Sequence, residues 1–253
     1  MHQHERHQLI VERSRSQSRV EVAVLAAELD VTPETIRRDL TVLERHGLVR
    51  RVHGGAIAIE KLAFEPTTQM RSEQRTAEKS AIAQRARELV PVDGSILLDA
   101  GTSTLALAHL LPTGGELTVV TNSLSIAQVV STREDVALYL LGGRVRAKTL
   151  ASVGSWSVDA LRDIHVDVAF IGTNGLTLDE GLTTPDPSEA SVKRAMVTVA
   201  QRVVVLADHS KIGVAHFSRF GRLSDVDTIV TDSGLDPETA AELEAHGPEV
   251  VRA

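Results

Sequence analysis

Asp99-Ala100-Gly101-Thr102-Ser103-Thr104 sets a carboxylate, a glycine and three hydroxyls side by side, directly after the apolar run Ser95-Ile96-Leu97-Leu98. Glycine lets a backbone approach a ligand closely, and hydroxyls beside the free N–H groups of a helix start favour an anion. Polar or glycine-bearing turns recur downstream at Thr121-Asn122-Ser123, Gly142-Gly143-Arg144 and Gly172-Thr173-Asn174-Gly175. Glu189 and Lys193 stand four apart in a helical pattern, and Asp208-His209-Ser210-Lys211 ends another apolar run. Taken singly, each is explained by a capped turn, a surface ion pair or a solvated loop. Their recurrence at one sheet edge is not. The candidate ligand set is Asp99, Gly101, Thr102, Ser103, Thr104, Thr121, Asn122, Gly143, Asn174, Glu189, Lys193, Asp208 and Lys211. Its chemistry is the holding of an anion with hydroxyls attached. An enzymatic alternative draws on Asp99, Glu189, Lys193 and Lys211 as acid–base groups of a sugar-phosphate isomerase. His209 reads as a solvated loop histidine.

A second set lies near the N-terminus. Thr32 is a good N-cap, and Pro33 falls at the first helical position, where its missing N–H costs nothing. The helix then runs to about Arg45 with Ile36, Leu40 and Leu43 facing inward. Ahead of it, Val22, Leu25, Ala26 and Leu29 form a helical stripe ending near Asp30. Two short helices joined tightly make a helix-turn-helix. Glu34, Thr35, Arg37 and Arg38 lie off the apolar stripe near the start of the second helix, where such a helix meets base edges and phosphates. Beyond Gly47, two short runs around Gly54-Gly55 predict a β-hairpin wing whose Arg50, Arg51 and His53 face phosphates. The candidate DNA set is Thr32, Glu34, Thr35, Arg37, Arg38, Arg50, Arg51, His53 and Gly54.

The elements positioning the first set alternate regularly. Strands are expected at 95–98, 117–120, 136–141, 166–171, 203–206 and 228–230. Helices are expected at 105–111, 124–130, 189–200 and 237–245. Short, nearly continuous apolar strands separated by helices mean a mostly parallel α/β sheet covered on both faces, with ligands outside the carboxyl ends of the strands. The organisation is a winged helix-turn-helix over 1–57, a linker over 58–80 and an α/β effector-sensing domain over 81–253.

Bulk properties agree. Hydrophobic residues make up 42% of the 253, ample for a core, and aromatics only 2%, so Val, Leu, Ile and Ala must build it. The absence of cysteine excludes disulfides and thiolate chemistry. No metal site or cofactor is expected. The net charge of −7 is uneven: residues 1–55 carry +1 and the remainder −8. A locally basic head on an acidic body suits a protein that meets DNA with one face. Met1-His2-Gln3-His4-Glu5 has no apolar run, and no stretch approaches the ~20 apolar residues of a membrane span. A cytoplasmic, nucleoid-associated protein is expected.

The segment Val24 to Leu40, with Leu48-Val49-Arg50-Arg51-Val52-His53-Gly54-Gly55-Ala56 behind it, closely resembles the DeoR family of bacterial repressors, and the similarity continues to about residue 232. The resemblance implies that Thr35, Arg37 and Arg38 touch operator DNA and that the Arg-Arg-Val-His-Gly-Gly segment is the wing. It also implies a sensor domain similar in fold to ribose-5-phosphate isomerase, with a phosphorylated sugar as effector. Phosphate contacts then fall on Gly101 to Thr104, and sugar or phosphate contacts on Asn122, Asn174, Lys193 and Lys211. One departure is His209, where the family more often has Ser; it leaves the sugar open. A dimer or tetramer acting as a repressor of a sugar-utilisation operon is implied, an activator of the same architecture being the alternative.

Overall fold

Thr32 starts its helix as its sequence predicts: its Oγ1 accepts the Thr35 N–H at 3.2 Å, with Pro33 in the first turn. In the computed structural model, which describes residues 3–17, 19–45, 48–52, 54–58 and 65–253, this helix belongs to the first of two compact units, Met1–Glu65 and Pro66–Ala253. The first unit runs α1 (Gln3–Gln17), β1 (Arg19–Glu21), α2 (Val22–Glu28), α3 (Pro33–Arg45), β2 (Val49–Val52) and β3 (Gly55–Ala58). Ile36, Leu40 and Leu43 of α3 are buried with Leu25 and Ala26 of α2, Ile10 of α1 and Val49 of β2. At roughly 1.5–3 kcal/mol per fully buried aliphatic side chain, this cluster holds the helices at their turn. Strands β2 and β3 pair antiparallel as the expected hairpin, and β1 adds a third strand in the order β1-β3-β2. His53 lies outside the described residues; Gly54, in the turn, has φ +77°, which glycine accepts freely.

The linker expected to reach residue 80 is corrected. Thr68–Ser72 and Thr76–Arg87 are helices α4 and α5 of the second unit. Thr68 donates its N–H to the Lys148 carbonyl at 2.8 Å. Ile82, Ala83 and Ala86 of α5 are fully buried. Small apolar residues amid charged ones gave too weak a stripe to be read.

The second unit continues through β4 (Gly94–Leu98), α6 (Thr102–Ala108), β5 (Leu117–Thr121), α7 (Leu124–Val130), β6 (Val136–Leu140), β7 (Arg144–Arg146), β8 (Ala151–Val153), α8 (Ser155–Leu161) and β9 (Val166–Gly172). It closes with β10 (Gly175–Thr177), β11 (Gly181–Thr184), α9 (Pro187–Val199), β12 (Ala200–Leu206), β13 (Ser218–Gly221), β14 (Thr228–Thr231), α10 (Pro237–Glu244) and β15 (Glu249–Arg252). Seven strands form one sheet, β15-β14-β12-β9-β4-β5-β6, and every pair in it is parallel. Alternate strand residues feed two cores. Ile96, Leu98, Val168, Phe170 and Val204 pack under α5, α6 and α7. Leu97, Ala169, Ile171, Val203 and Val205 pack under α8, α9 and α10. Buried on both faces, these strands read as continuous apolar runs. The antiparallel sheet β10-β11-β13 and the β7–β8 hairpin complete the unit.

Candidate functional site

In the first unit, burial of the α3 stripe leaves Glu34, Arg37 and Arg38 exposed and Thr35 half-buried. Arg37 reaches Glu34 at 3.3 Å, and the Thr32 and Thr35 hydroxyls lie 2.9 Å apart. The wing is tied to α3: the Arg51 N–H donates to Glu44 at 2.8 Å and its guanidinium to the Thr41 hydroxyl at 3.1 Å. Arg50 is exposed beside it. On the opposite side of α3, Asp39 is buried and accepts from Arg6 at 2.5 Å and contacts the His7 ring at 2.8 Å. Burial pushes the Asp39 carboxyl up, but the bonds from Arg6 and His7 outweigh it and hold it below its usual range. That anchor ties α3 to α1, a role that its place between Arg38 and Leu40 did not reveal.

In the second unit, a cleft lined largely by polar and charged side chains lies at the carboxyl edge of the sheet. Three strand ends supply its floor: Ala100–Thr104 after β4, Gly172–Asn174 at the end of β9, and Leu206, Ala207, Asp208, Ser210 and Lys211 at the end of β12. Helix α9 contributes Glu189 and Lys193, and the α4–α5 segment contributes Arg71, Gln74, Arg75 and Lys79. Of the candidate set, Gly101, Thr102, Ser103, Thr104, Asn174, Glu189, Lys193, Asp208 and Lys211 all line it.

Their local geometry is specific. Thr104 Oγ1 donates to the Asp99 carbonyl at 2.6 Å and the Gly101 carbonyl at 3.0 Å, so it braces the turn. Asp99 sits behind Lys193, 1% exposed, accepting from the Lys193 ammonium and from the Gly172 N–H at 2.9 Å. Burial pushes its carboxyl up against the pull of Lys193. Lys193 also donates to the Gly172 carbonyl at 2.8 Å and lies 5.3 Å from the Phe220 ring centre. Glu189 accepts from Arg146 at 2.5 Å and from Thr149 at 2.6 Å, and Asn174 Oδ1 accepts from Thr184 at 3.1 Å. Asp208 caps the 3-10 turn His209–Lys211 through the Ser210 N–H at 3.1 Å. Lys79 donates to the carbonyls of Arg71 and Gln74. Burial, then Lys211 and Arg71, lower its pKa to about 8, and Asp208 only partly opposes them.

Besides Asp99, which lies behind Lys193, three candidates do not line the cleft. Thr121 Oγ1 is turned inward, donating to the Leu98 carbonyl at 2.6 Å. Asn122 accepts from the Ala100 N–H at 2.9 Å and donates to the Ser152 carbonyl at 3.2 Å, so its amide holds the β4 turn in place. Gly143 has φ +146°, and a Cβ there would meet Ser157 Oγ at 2.6 Å and the Val153 carbonyl oxygen at 2.8 Å; close packing explains the glycine. Conversely Arg71, Arg75 and Lys79 lay in the supposed linker, where their charged run was the only signal. Among the described residues no His, Asp or Glu cluster could hold a metal ion, and no helix is long and apolar enough to cross a membrane.

A helix-turn-helix with a hairpin wing, carried on the same chain as a cation-lined cleft at a parallel sheet edge, defines a DNA-binding regulator with a sensor domain. Residues 6–62 match the DeoR-like helix-turn-helix domain and residues 74–233 the DeoR C terminal sensor domain; the chain belongs to the DeoR family of transcription regulators. It is 37% identical over 229 residues to an uncharacterized HTH-type transcriptional regulator of Bacillus subtilis, FruR, covering 90% of this chain and 91% of that one. It is 33% identical over 233 residues to the glycerol-3-phosphate regulon repressor of Escherichia coli, covering 92% of each. These relatives are regulators, which disfavours the isomerase alternative. Among solved structures, a ribose 5-phosphate isomerase A from Methanocaldococcus jannaschii matches at TM-score 0.38 and 19% identity, covering 53% of each chain, too distant for any activity to be read across.

Proposed function

We propose that this regulator represses a sugar-utilisation operon and that a phosphorylated sugar in the cleft changes its affinity for operator DNA. The observation carrying the effector reading is the charge of the cleft: Arg71, Arg75, Lys79, Lys193 and Lys211 line it beside Glu189 and Asp208, with Asp99 behind Lys193 and Glu78 beside Arg75, so cations outnumber carboxylates. Such an excess suits a phosphate, and the carboxylates and Asn174 offer acceptors for hydroxyls. Gly101, Thr102 and Ser103 form the wall against which the phosphate sits. The similarity to a relative named as a glycerol-3-phosphate regulon repressor supports the same class of effector.

Thr32, Glu34, Thr35, Arg37 and Arg38 meet the major groove, and Arg50, Arg51 and the wing turn meet phosphates. The protein acts in the cytoplasm, at the nucleoid, as a dimer or tetramer on paired half-sites. Effector and operator share one chain, so each changes the other's affinity by the same factor.

The test is a thermal-shift panel of ribose 5-phosphate, fructose 1-phosphate and glycerol 3-phosphate against their unphosphorylated sugars, followed by anisotropy titration of the DNA upstream of the protein's own gene. Stabilisation by one phosphorylated sugar alone, with a change in DNA affinity, is expected. No stabilisation by any phosphorylated compound would remove the effector reading; DNA affinity unchanged by a stabilising compound would remove the coupling.

A further inference from the structure

We propose that His209 is a positioning residue for anion binding, its imidazole holding the Arg75 guanidinium at the cleft while Asp232 fixes the ring. The proposal rests on the reading of the cleft as an anion site.

Asp232, 3% exposed at the end of β14, accepts the His209 backbone N–H at 2.8 Å through Oδ2. Its Oδ1 lies 2.7 Å from His209 Nδ1 and accepts the Gly234 N–H at 3.0 Å. Burial works against this carboxylate, yet the His209 and Gly234 bonds hold its pKa below the usual range. It is therefore an acceptor through neutral pH, and Nδ1 must carry the proton. Nε2 is then left as the ring's acceptor, and it lies 3.1 Å from Arg75 Nη1. Since arginine has only donors, the direction of this bond is fixed.

Two independent features favour a built arrangement over a solvated loop histidine. A Cβ on Gly234 would stand 2.4 Å from His209 Nδ1 and 2.7 Å from Asp232 Oδ1, so the absence of a side chain is what admits the ring. Arg75 itself lies in the left-handed region at φ 51°, ψ 45°, which suits Gly or Asn rather than a long side chain. Its guanidinium is flanked by Asp208 and Glu78, each at 3.6 Å, loose contacts that leave its direction to His209. A histidine linked to a buried carboxylate on one side and an arginine on the other confines an otherwise flexible cation, and a confined cation loses less freedom on binding.

The test is calorimetric titration of the full-length protein with sulfate, whose charge is constant across neutral pH, for wild type, His209→Ala, His209→Gln, Arg75→Ala and the double variant Arg75→Ala/His209→Ala. His209→Ala is expected to weaken sulfate by about tenfold, the scale of one oriented charge-assisted contact. His209→Gln, whose side-chain oxygen can accept from Arg75, recovers most of the loss. The double variant binds no more weakly than Arg75→Ala alone, because the histidine acts only through the arginine. Additive losses in the double variant, or undiminished sulfate binding by His209→Ala beside a binding wild type, would overturn the proposal. A wild type that binds neither sulfate nor phosphorylated sugars would overturn the anion-site reading, and this inference with it. If His209→Ala fails to fold by circular dichroism, His209→Leu, closer in volume and without an acceptor for Arg75, takes its place in the same cycle: a loss from His209→Leu equal with and without Arg75 would sink it.

Discussion

The two units hold their cations in opposite ways. Arg37 of α3 keeps 55% of its side chain exposed, with a loose partner one helical turn away. Lys193 of α9 keeps 5%, bound to a buried carboxylate and a backbone carbonyl. DNA offers many spaced phosphates, so exposed side chains can adjust to it while counterions leave. A small anion offers one centre, and groups fixed in advance waste less freedom on it. The comparison breaks most visibly at Lys193. Lys193→Met strips Asp99 of its partner and should lower the stability of the second unit by about 3–5 kcal/mol, the cost of an orphaned buried charge. Asp99→Asn/Lys193→Met should recover most of it. Thermal melts followed by circular dichroism measure both, and a Lys193→Met protein as stable as wild type would mean the pair is not coupled.

Arg38→Ala tests the other pole. Its side chain is exposed on α3, so the melt should not move. DNA affinity should fall by about 1–3 kcal/mol if it reads a base, or the plot of log affinity against log salt should flatten by about one unit if it meets a phosphate. An unchanged affinity and slope in anisotropy titrations would take Arg38 off the interface. Between these extremes lies Thr32→Ala, which removes the α3 cap and should cost the first unit about 1 kcal/mol. Because Thr32 Oγ1 also lies 2.9 Å from Thr35 Oγ1, DNA affinity should fall with it. A melt that does not shift would show the cap to be dispensable.

What the sequence disclosed follows the same division. α3 was legible from end to end, because Thr32-Pro33 and an apolar stripe are local signals. β4, β5, β9 and β12 were legible because strands buried on both faces are continuous apolar runs. β1, β7, β8, β10, β11 and β13 are three or four residues long, too short for any period to emerge, and β15 holds only Val250 and Val251 between the charged Glu249 and Arg252. The cleft was half legible. Strand-end residues such as Gly101 and Asp208 were found because a parallel sheet gathers its carboxyl ends on one edge. Arg71, Arg75 and Lys79 arrive by long-range packing of α4 and α5, which no local pattern encodes. Asn122 shows the converse limit: it stands at the right edge with the right chemistry, but its amide is spent on the Ala100 N–H and the Ser152 carbonyl.

Lys79 sharpens the comparison furthest, since only a buried cation has its charge set by burial. Its folded pKa is about 8 against an ordinary 10.5. Above about pH 8 the folded chain has released this proton while the unfolded chain keeps it, so between about 8 and 10.5 the unfolded state binds more protons and Lys79 makes stability rise with pH. Sulfate affinity should move the other way, weakening severalfold from pH 7 to 9 as the cleft loses a charge. Lys79→Met should erase both trends attributable to this group: less rise in melting temperature above pH 8, and a flatter sulfate profile. Stability and affinity that fell together with rising pH, in wild type and Lys79→Met alike, would remove Lys79 from the cleft's charge and leave Arg71, Arg75 and Lys211 to supply it.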